Sequence, residues 1–499
     1  MTQDLLVRGR WVITGATAAD KVVADGAVLV EGGRIGAVGP WDELRAAHPA
    51  LPVVGSGDDA ILPGFVAAHH HGNAATALQQ GISDDLLELW LLAMRTARSL
   101  DPELRALLTA TRLLRGGVTA AIEMTELRSA PAQAAASLAR RVAAYERSGI
   151  RMAVAVGVVG RGGLVPDPDL AAFLESLPSE DRARAAAVAA EPAPMDDDEY
   201  LGVVADARRA AAASPRVDVW YGPPGPQWVS ESLIRRIADS SAADGARIQI
   251  HVAESRAEGL LGQRHHGRPM TLHLRDLGLL SERCSFAHGV WLADEEIEVL
   301  AATGVSVAHN PSSNLRLRAG VARLHALLAA GVTVGIGLDA NGLADDDDML
   351  AEARLALRLA RSPRVAEPVP SLAAVFAAAT TGGARILGRG GDLGRIAPGY
   401  AADLVLVDPT RATWPWVAPD VDPRELVLLR AHGDDVRTVL VDGEIVLRDR
   451  QPTRFDLDEV VAETVARLDA TAVDPATRAL GERLRPHLAR FLKSVDRPG

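Results

Sequence analysis

Ile61–His71, ILPGFVAAHHH, is an apolar run that ends on three consecutive histidines. An extended chain alternates its side chains between two faces, so His69 and His71 share one face and His70 takes the other. Two imidazoles so placed can face one metal ion, and His70 is not expected to be a ligand. The stretch decides the fold because seven more strand-like segments follow it: Val118–Met124, Arg151–Val159, Val217–Gly222, Arg247–Ala253, Ser285–Val290, Val305–Pro311 and Val332–Ala340. Helical stretches lie between them. Ser129–Gly149, for example, repeats apolar residues at three- and four-residue steps and ends on a glycine stop. Eight strand–helix units predict a (β/α)8 TIM barrel over residues 58–390.

The flanks differ in rhythm. Residues 1–57 hold short strands, LLVRGRWVI and AVLVEGGRIGAVG, the latter turning at Gly32-Gly33. Residues 391–450 return to the same kind of strand in AADLVLVDP and VRTVLVDGEIVLRD, so the chain ends are expected to build one small β-sandwich. Residues 451–499 carry helical apolar spacing (VVAETVARL, RLRPHLARFL) and read as a packed helical tail. The class is α/β.

Composition narrows the function. At 48% hydrophobic and 24% charged residues the chain is ordinary globular material, and its apolar runs fall short of the ~18–20 residues of a membrane span. A net charge of −12 argues against nucleic acid, which requires a concentrated positive field. The one cysteine, Cys284, cannot form an internal disulfide, and the start MTQDLLVRGRW lacks the pattern of a signal peptide, so a cytoplasmic location and a small-molecule substrate are expected.

Catalytic groups of such a barrel gather where the C-terminal ends of the strands converge. His69 and His71 end the first strand, His251 lies in the fifth with Glu254 three residues on, His288 in the sixth, His309 in the seventh and Asp339 in the eighth. Zn²⁺ held by neutral imidazoles and a carboxylate keeps a position open for water and lowers the pKa of that water towards ~7, which suits hydrolysis. Singly, each residue has a plainer reading as a core histidine, a turn residue or a helix cap. Their joint placement at matching strand ends outweighs it.

Five segments, PGFVAAHHH (Pro63–His71), HVAE (His251–Glu254), FAHGVWL (Phe286–Leu292), AHNPSSNLRLRAG (Ala308–Gly320) and GIGLDAN (Gly335–Asn341), resemble in this order the signatures of the amidohydrolase superfamily. They are most similar to its mononuclear branch, which includes cytosine, guanine and S-adenosylhomocysteine deaminases and triazine hydrolases such as atrazine chlorohydrolase. The resemblance runs from Leu5 to Asp449. It implies one divalent ion per chain, Zn²⁺ first and Fe²⁺ second, bound by His69, His71, His251 and Asp339. It further implies Glu254 as proton shuttle, His288 as the group that orients the attacked centre, Asp339 as base, and a homo-oligomer, dimer or tetramer.

Binuclear relatives bridge two metals with a carboxylated lysine of the fourth strand, and this chain has no lysine between Lys21 and Lys493. Glu123, the nearest substitute, reads as structural or as pocket wall. Substrate contacts are expected from His309, Trp90, Gln80, Trp228 and Asn341, around loops that depart from the family pattern: Leu338-Asp339-Ala340 at the eighth strand and Gly222–Trp228 before the fifth. His265, His266, His273 and His325 read as structural, and Asp345–Asp348 as a charge cluster at a helix N-terminus. The activity implied is deamination, or displacement of another leaving group, on a nitrogen heterocycle. The alternatives are hydrolysis of an amide, urea or (thio)carbamate C–N bond and a non-catalytic scaffold, against which the intact ligand set stands.

Overall fold

A computed structural model describes residues 3–17, 20–340 and 342–496. The histidine segment forms two strands rather than one. Ala60–Pro63 joins the sheet built by the chain ends, and the first barrel strand begins at Phe65. Gly64 makes the crossing possible, because a Cβ there would lie 2.1 Å from Thr119 Oγ1.

The barrel strands are β1 (Phe65–His70), β2 (Val118–Leu127), β3 (Arg151–Val158), β4 (Val217–Tyr221), β5 (Ile248–Val252), β6 (Cys284–His288), β7 (Ser306–His309) and β8 (Val334–Ile336). They pair in chain order, all parallel. Both faces of such a sheet are covered, which is why β1, β3, β5 and β6 are buried at every position. The ring closes at its chemically richest point. Leu338 and Asp339 N–H both donate to the His69 carbonyl oxygen, at 2.9 and 3.1 Å, which seats Asp339 beside the first-strand histidines.

Helices that shape the site are α1 (Leu87–Met94), α2 (Glu231–Asp244), α3 (Arg256–His266), α4 (Met270–Asp276), α5 (Met349–Leu359) and α6 (Pro475–Val495). The tail is part of the catalytic face. Leu484, Leu488 and Leu492, four residues apart on α6, pack against Leu89 and Leu92 of α1 and against Phe173. Among the described residues no helix is long and apolar enough to cross a membrane.

The strands of the two chain ends form one sheet that rolls up into the expected sandwich, with Arg34 bridged to Ala401 and Ile35 N–H donating to Tyr400 O at 2.9 Å. Strand alternation divides its side chains between two cores. Ile61, Leu404 and Leu406 turn into the sandwich, and Ala60, Leu62, Val405 and Val407 turn towards the barrel helices.

The Asp345–Asp348 run is not a single helix-end cluster. Only Asp348 caps a helix, accepting from Ala351 N–H at 2.9 Å at the start of α5. Asp347 is buried against His70 and Arg112, each at 3.2 Å, and Asp345 binds Thr76 at 3.1 Å and Arg316. The difference is one of partners: Asp345 and Asp347 are held by side chains far along the chain rather than by a helix end.

Candidate active site

His69, His71, His251, His288 and Asp339 converge at the C-terminal mouth of the barrel. The ring of His69 lies 4.8, 4.9 and 5.6 Å from those of His71, His251 and His288. Asp339 Oδ1 is 3.6 Å from His69 Nε2 and 3.3 Å from His71 Nε2, and Asp339 Oδ2 is 3.5 Å from His288 Nε2. Three non-glycine residues at these strand ends are left-handed: Ala253 (φ 54°), His288 (φ 77°) and Asp339 (φ 55°). Such residues are uncommon, and strain of this kind clusters where side chains are aimed at a ligand.

The far nitrogen of three rings is already committed. His69 Nδ1 is 2.8 Å from Gln249 Oε1, His251 Nδ1 is 2.5 Å from the Pro224 carbonyl, and His288 Nδ1 is 2.8 Å from Asn314 Oδ1. The Pro224 carbonyl can only accept, and Gln249 spends its NH₂ on the Ala68 carbonyl at 2.8 Å, so Nδ1 of His251 and of His69 carries the proton. Nε2 of these two rings is then a lone pair aimed at the centre.

His69 Nε2 and His288 Nε2 are buried without a hydrogen-bond partner, and His71 Nε2 lies only 3.1 Å from His251 Nε2. Unpaired buried nitrogens are costly, and a cation would satisfy all of them. Burial pushes the imidazolium of His71 down to about 3, that of His288 to about 4 and that of His251 well below its ordinary value, leaving neutral ligands at pH 7. Burial opposes ionisation of Asp339, but the imidazoles of His69, His288 and His71 around it hold its carboxyl well below the usual range. Three or four neutral imidazoles and one carboxylate fit a divalent ion of the zinc type.

Glu254 stands beside this set, with Oε1 3.6 Å from His288 Nε2. Burial, reinforced by Asp339, Glu258 and Glu88, raises its carboxyl well above the ordinary value, which favours the protonated form that a donor needs. Its loop is clamped. Glu258 accepts from the N–H groups of Ala253 and Glu254 at 2.8 and 2.9 Å, and Glu88 accepts from the Ser255 hydroxyl at 2.5 Å.

His71, His251, Glu254, His288 and Asp339 open into a cavity of about 1590 Å³, with Trp90, Gln80 and Trp228 on its walls. Gln80 spends its side chain on its own surroundings, accepting from Arg98 N–H at 2.7 Å and donating to Ala75 O at 3.2 Å. His309 is buried and is not among the described residues that line the cavity. Asn341 lies outside the described residues. His70 turns away to Asp347, and Glu123 is fully buried in an ion pair with Arg141.

Sequence reading missed Gln249, the Pro224 carbonyl, Glu258 and Glu88, and assigned no role to Asn314. Gln249 had a signal: a polar residue two before His251 on an apolar strand must share its inward face. The others are brought in by loops.

The amidohydrolase family profile matches residues 60–446, and an imidazolonepropionase-like composite domain profile matches residues 26–50. A 5-methylthioadenosine/S-adenosylhomocysteine deaminase of Nitratidesulfovibrio vulgaris is 31% identical over 467 residues, covering 92% of this chain and 96% of that protein. A 5'-deoxyadenosine deaminase of Methanosarcina mazei is 29% identical over 464 residues, covering 92% and 96%. Among solved structures, an adenosine deaminase from Xanthomonas campestris with bound zinc matches with a TM-score of 0.78 at 27% identity, covering 94% of this chain and 98% of that one. The zinc complex of atrazine chlorohydrolase from Arthrobacter aurescens shares the fold, with a TM-score of 0.76 at 24% identity and coverage of 93% and 100%. The chain belongs to the amidohydrolase family.

Proposed function

We propose that this hydrolase deaminates an adenine nucleoside, with His69, His71, His251 and Asp339 holding one divalent ion, Zn²⁺ before Fe²⁺. The observation that carries the reading is the set of imidazole nitrogens gathered around Asp339, those of His69 and His288 buried and unpartnered, with Glu254 3.6 Å from His288. The adenosine-type deaminases among its relatives supply the substrate class. When bound, a divalent ion supplies a water acidic enough to ionise near neutral pH.

The chain's own groups do the rest. His288 Nε2, 3.5 Å from Asp339 Oδ2 and 3.6 Å from Glu254 Oε1, hydrogen-bonds the attacking water and fixes its direction. Asp339 takes one proton from that water as its oxygen bonds to the amino-bearing ring carbon. Glu254 gives its proton to the adjacent ring nitrogen. The proton on Asp339 passes to the amino group, the C–N bond breaks and ammonia leaves. The remaining hydroxyl proton returns to Glu254 as the carbonyl forms, which restores both carboxyl groups and balances the reaction.

The test is ammonia release by the zinc-loaded protein from adenosine, 5'-deoxyadenosine, 5'-methylthioadenosine and S-adenosylhomocysteine, set against cytosine, guanine, aminotriazines and aryl ureas. Release from the nucleosides is expected, with Glu254→Gln lowering kcat by roughly 10²–10⁴-fold while metal content stays unchanged. Turnover of ureas or carbamates alone would overturn the deaminase reading.

A further inference from the structure

The geometry points to a second, peripheral divalent-cation site on the cavity wall, formed by Glu231, His266 and His273. They come from three helices: Glu231 is the first residue of α2, His266 the last of α3, and His273 lies within α4. One potential ligand atom from each lies within 4.8 Å of the others, and all three residues line the cavity. His273 Nε2 is 3.0 Å from Glu231 Oε1, and the rings of His266 and His273 stack with centroids 3.8 Å apart.

Two stacked imidazoles disfavour a charge on either. Burial, and then His273, lowers the pKa of His266, so the ring is present in the form that binds metal. Two nitrogens and a carboxylate oxygen match the donor preference of Zn²⁺ and of similar borderline ions. Bonds of about 2.0–2.2 Å require the stack to open. The two rings sit at partly exposed positions, where the side chains can rotate. Three protein ligands leave a coordination position free towards the cavity.

Arg235 lies 3.8 Å from Glu231, and Arg161 also lines the cavity, so the site is weaker than the central one. Its place is nevertheless strategic. Helix α3 starts two residues after Glu254, and an ion at its far end would tie α2, α3 and α4 into one wall.

The experiment is equilibrium dialysis of chelator-stripped protein against Zn²⁺ alone, followed by elemental analysis and circular dichroism. Its subjects are the wild type, His71→Ala, the double variant His266→Ala/His273→Ala, and Glu231→Gln, a surface change that spares the fold. Two ions in the wild type and one in each of His71→Ala and the double variant are expected. Glu231→Gln should weaken the second ion at least tenfold. A wild type that saturates at one ion, lost in His71→Ala, overturns the rim site and leaves the central assignment standing. One ion lost only in the double variant keeps the rim site and overturns the central one. Two ions retained in the double variant overturn the rim site.

Discussion

Two sets of imidazoles line one cavity and are built in opposite ways. The central set sits at strand ends, and three of its rings are anchored through Nδ1 by Gln249, the Pro224 carbonyl and Asn314. The rim set sits on and after α3, held by single carboxylates, Asp169 at 2.8 Å from His265 and Glu231 at 3.0 Å from His273, and by the stack of His266 on His273. A ring fixed at one nitrogen presents the other in a set direction, and the ordering cost is met during folding rather than at binding. A ring held by one surface carboxylate keeps its rotamers and orders only when a ligand arrives. The central set is therefore suited to tight, specific metal binding, and the rim set to weak, adaptable binding.

The largest effect expected is at the centre. His71→Ala removes the ring whose Nε2 lies 3.1 Å from His251 Nε2 and 3.3 Å from Asp339, and should abolish tight metal binding and reduce deamination to background, with the circular dichroism spectrum retained. Stoichiometric metal with full activity would break the comparison outright.

The anchoring argument is sharpened by Gln249→Leu, which keeps the side chain's bulk but frees His69 Nδ1. Outer-shell losses of this kind cost ~10–100-fold in metal affinity or activity. Zinc affinity by chelator competition should fall in that range. Unchanged affinity would mean that the strand positions alone aim the rings.

An effect on stability rather than on metal affinity concerns the polar support behind the centre. Glu352 of α5 accepts from Ser312 N–H at 2.8 Å and from its hydroxyl, and burial raises its carboxyl to about 8. A folded-state pKa above the unfolded value of 4.5 contributes stability in full below pH 4.5, and that contribution is lost as pH rises through about 8. The span is worth up to about 5 kcal/mol. The urea midpoint of the wild type should fall between pH 5 and 8, and Glu352→Gln should flatten the curve and surpass the wild type on the alkaline side. Parallel curves would refute the assignment.

The central donors were legible from sequence: strand C-termini bring out His69, His71, His251, His288, His309 and Asp339 from 13 histidines and many acids, and the resemblance to the amidohydrolase signatures narrows these to the four expected ligands. Their supports follow no local rule. Gln249 meets His69 across 180 residues, and only the closed ring brings them together. The split of the first strand at Gly64 was hidden because Ala60–Pro63 and Phe65–His70 are equally apolar, and only their pairing partners separate them. His309 follows the same strand-end rule as His288, yet only His288 lines the cavity, so alternation selects the barrel interior and not the distance from its mouth.

The smallest effect belongs at the rim. His265 Nε2 and Asp169 Oδ2 lie 2.8 Å apart, yet neither atom has a partner in hydrogen-bond geometry, so the contact is misaligned. Both side chains keep about 15% exposure (14% and 15%), although the two facing atoms themselves are shielded from water. Ion pairs of this grade contribute ~0.2–1 kcal/mol. His265→Ala should accordingly lower the urea-derived stability by no more than about 1 kcal/mol. It should leave both zinc sites filled, because the residue belongs to neither donor set. The same truncation at His69 would remove a ring whose two nitrogens face Gln249 and Asp339. A loss at His265 as large as that at His69 would show that the rim rings are anchored as firmly as the central ones, and the contrast between the two sets would fail.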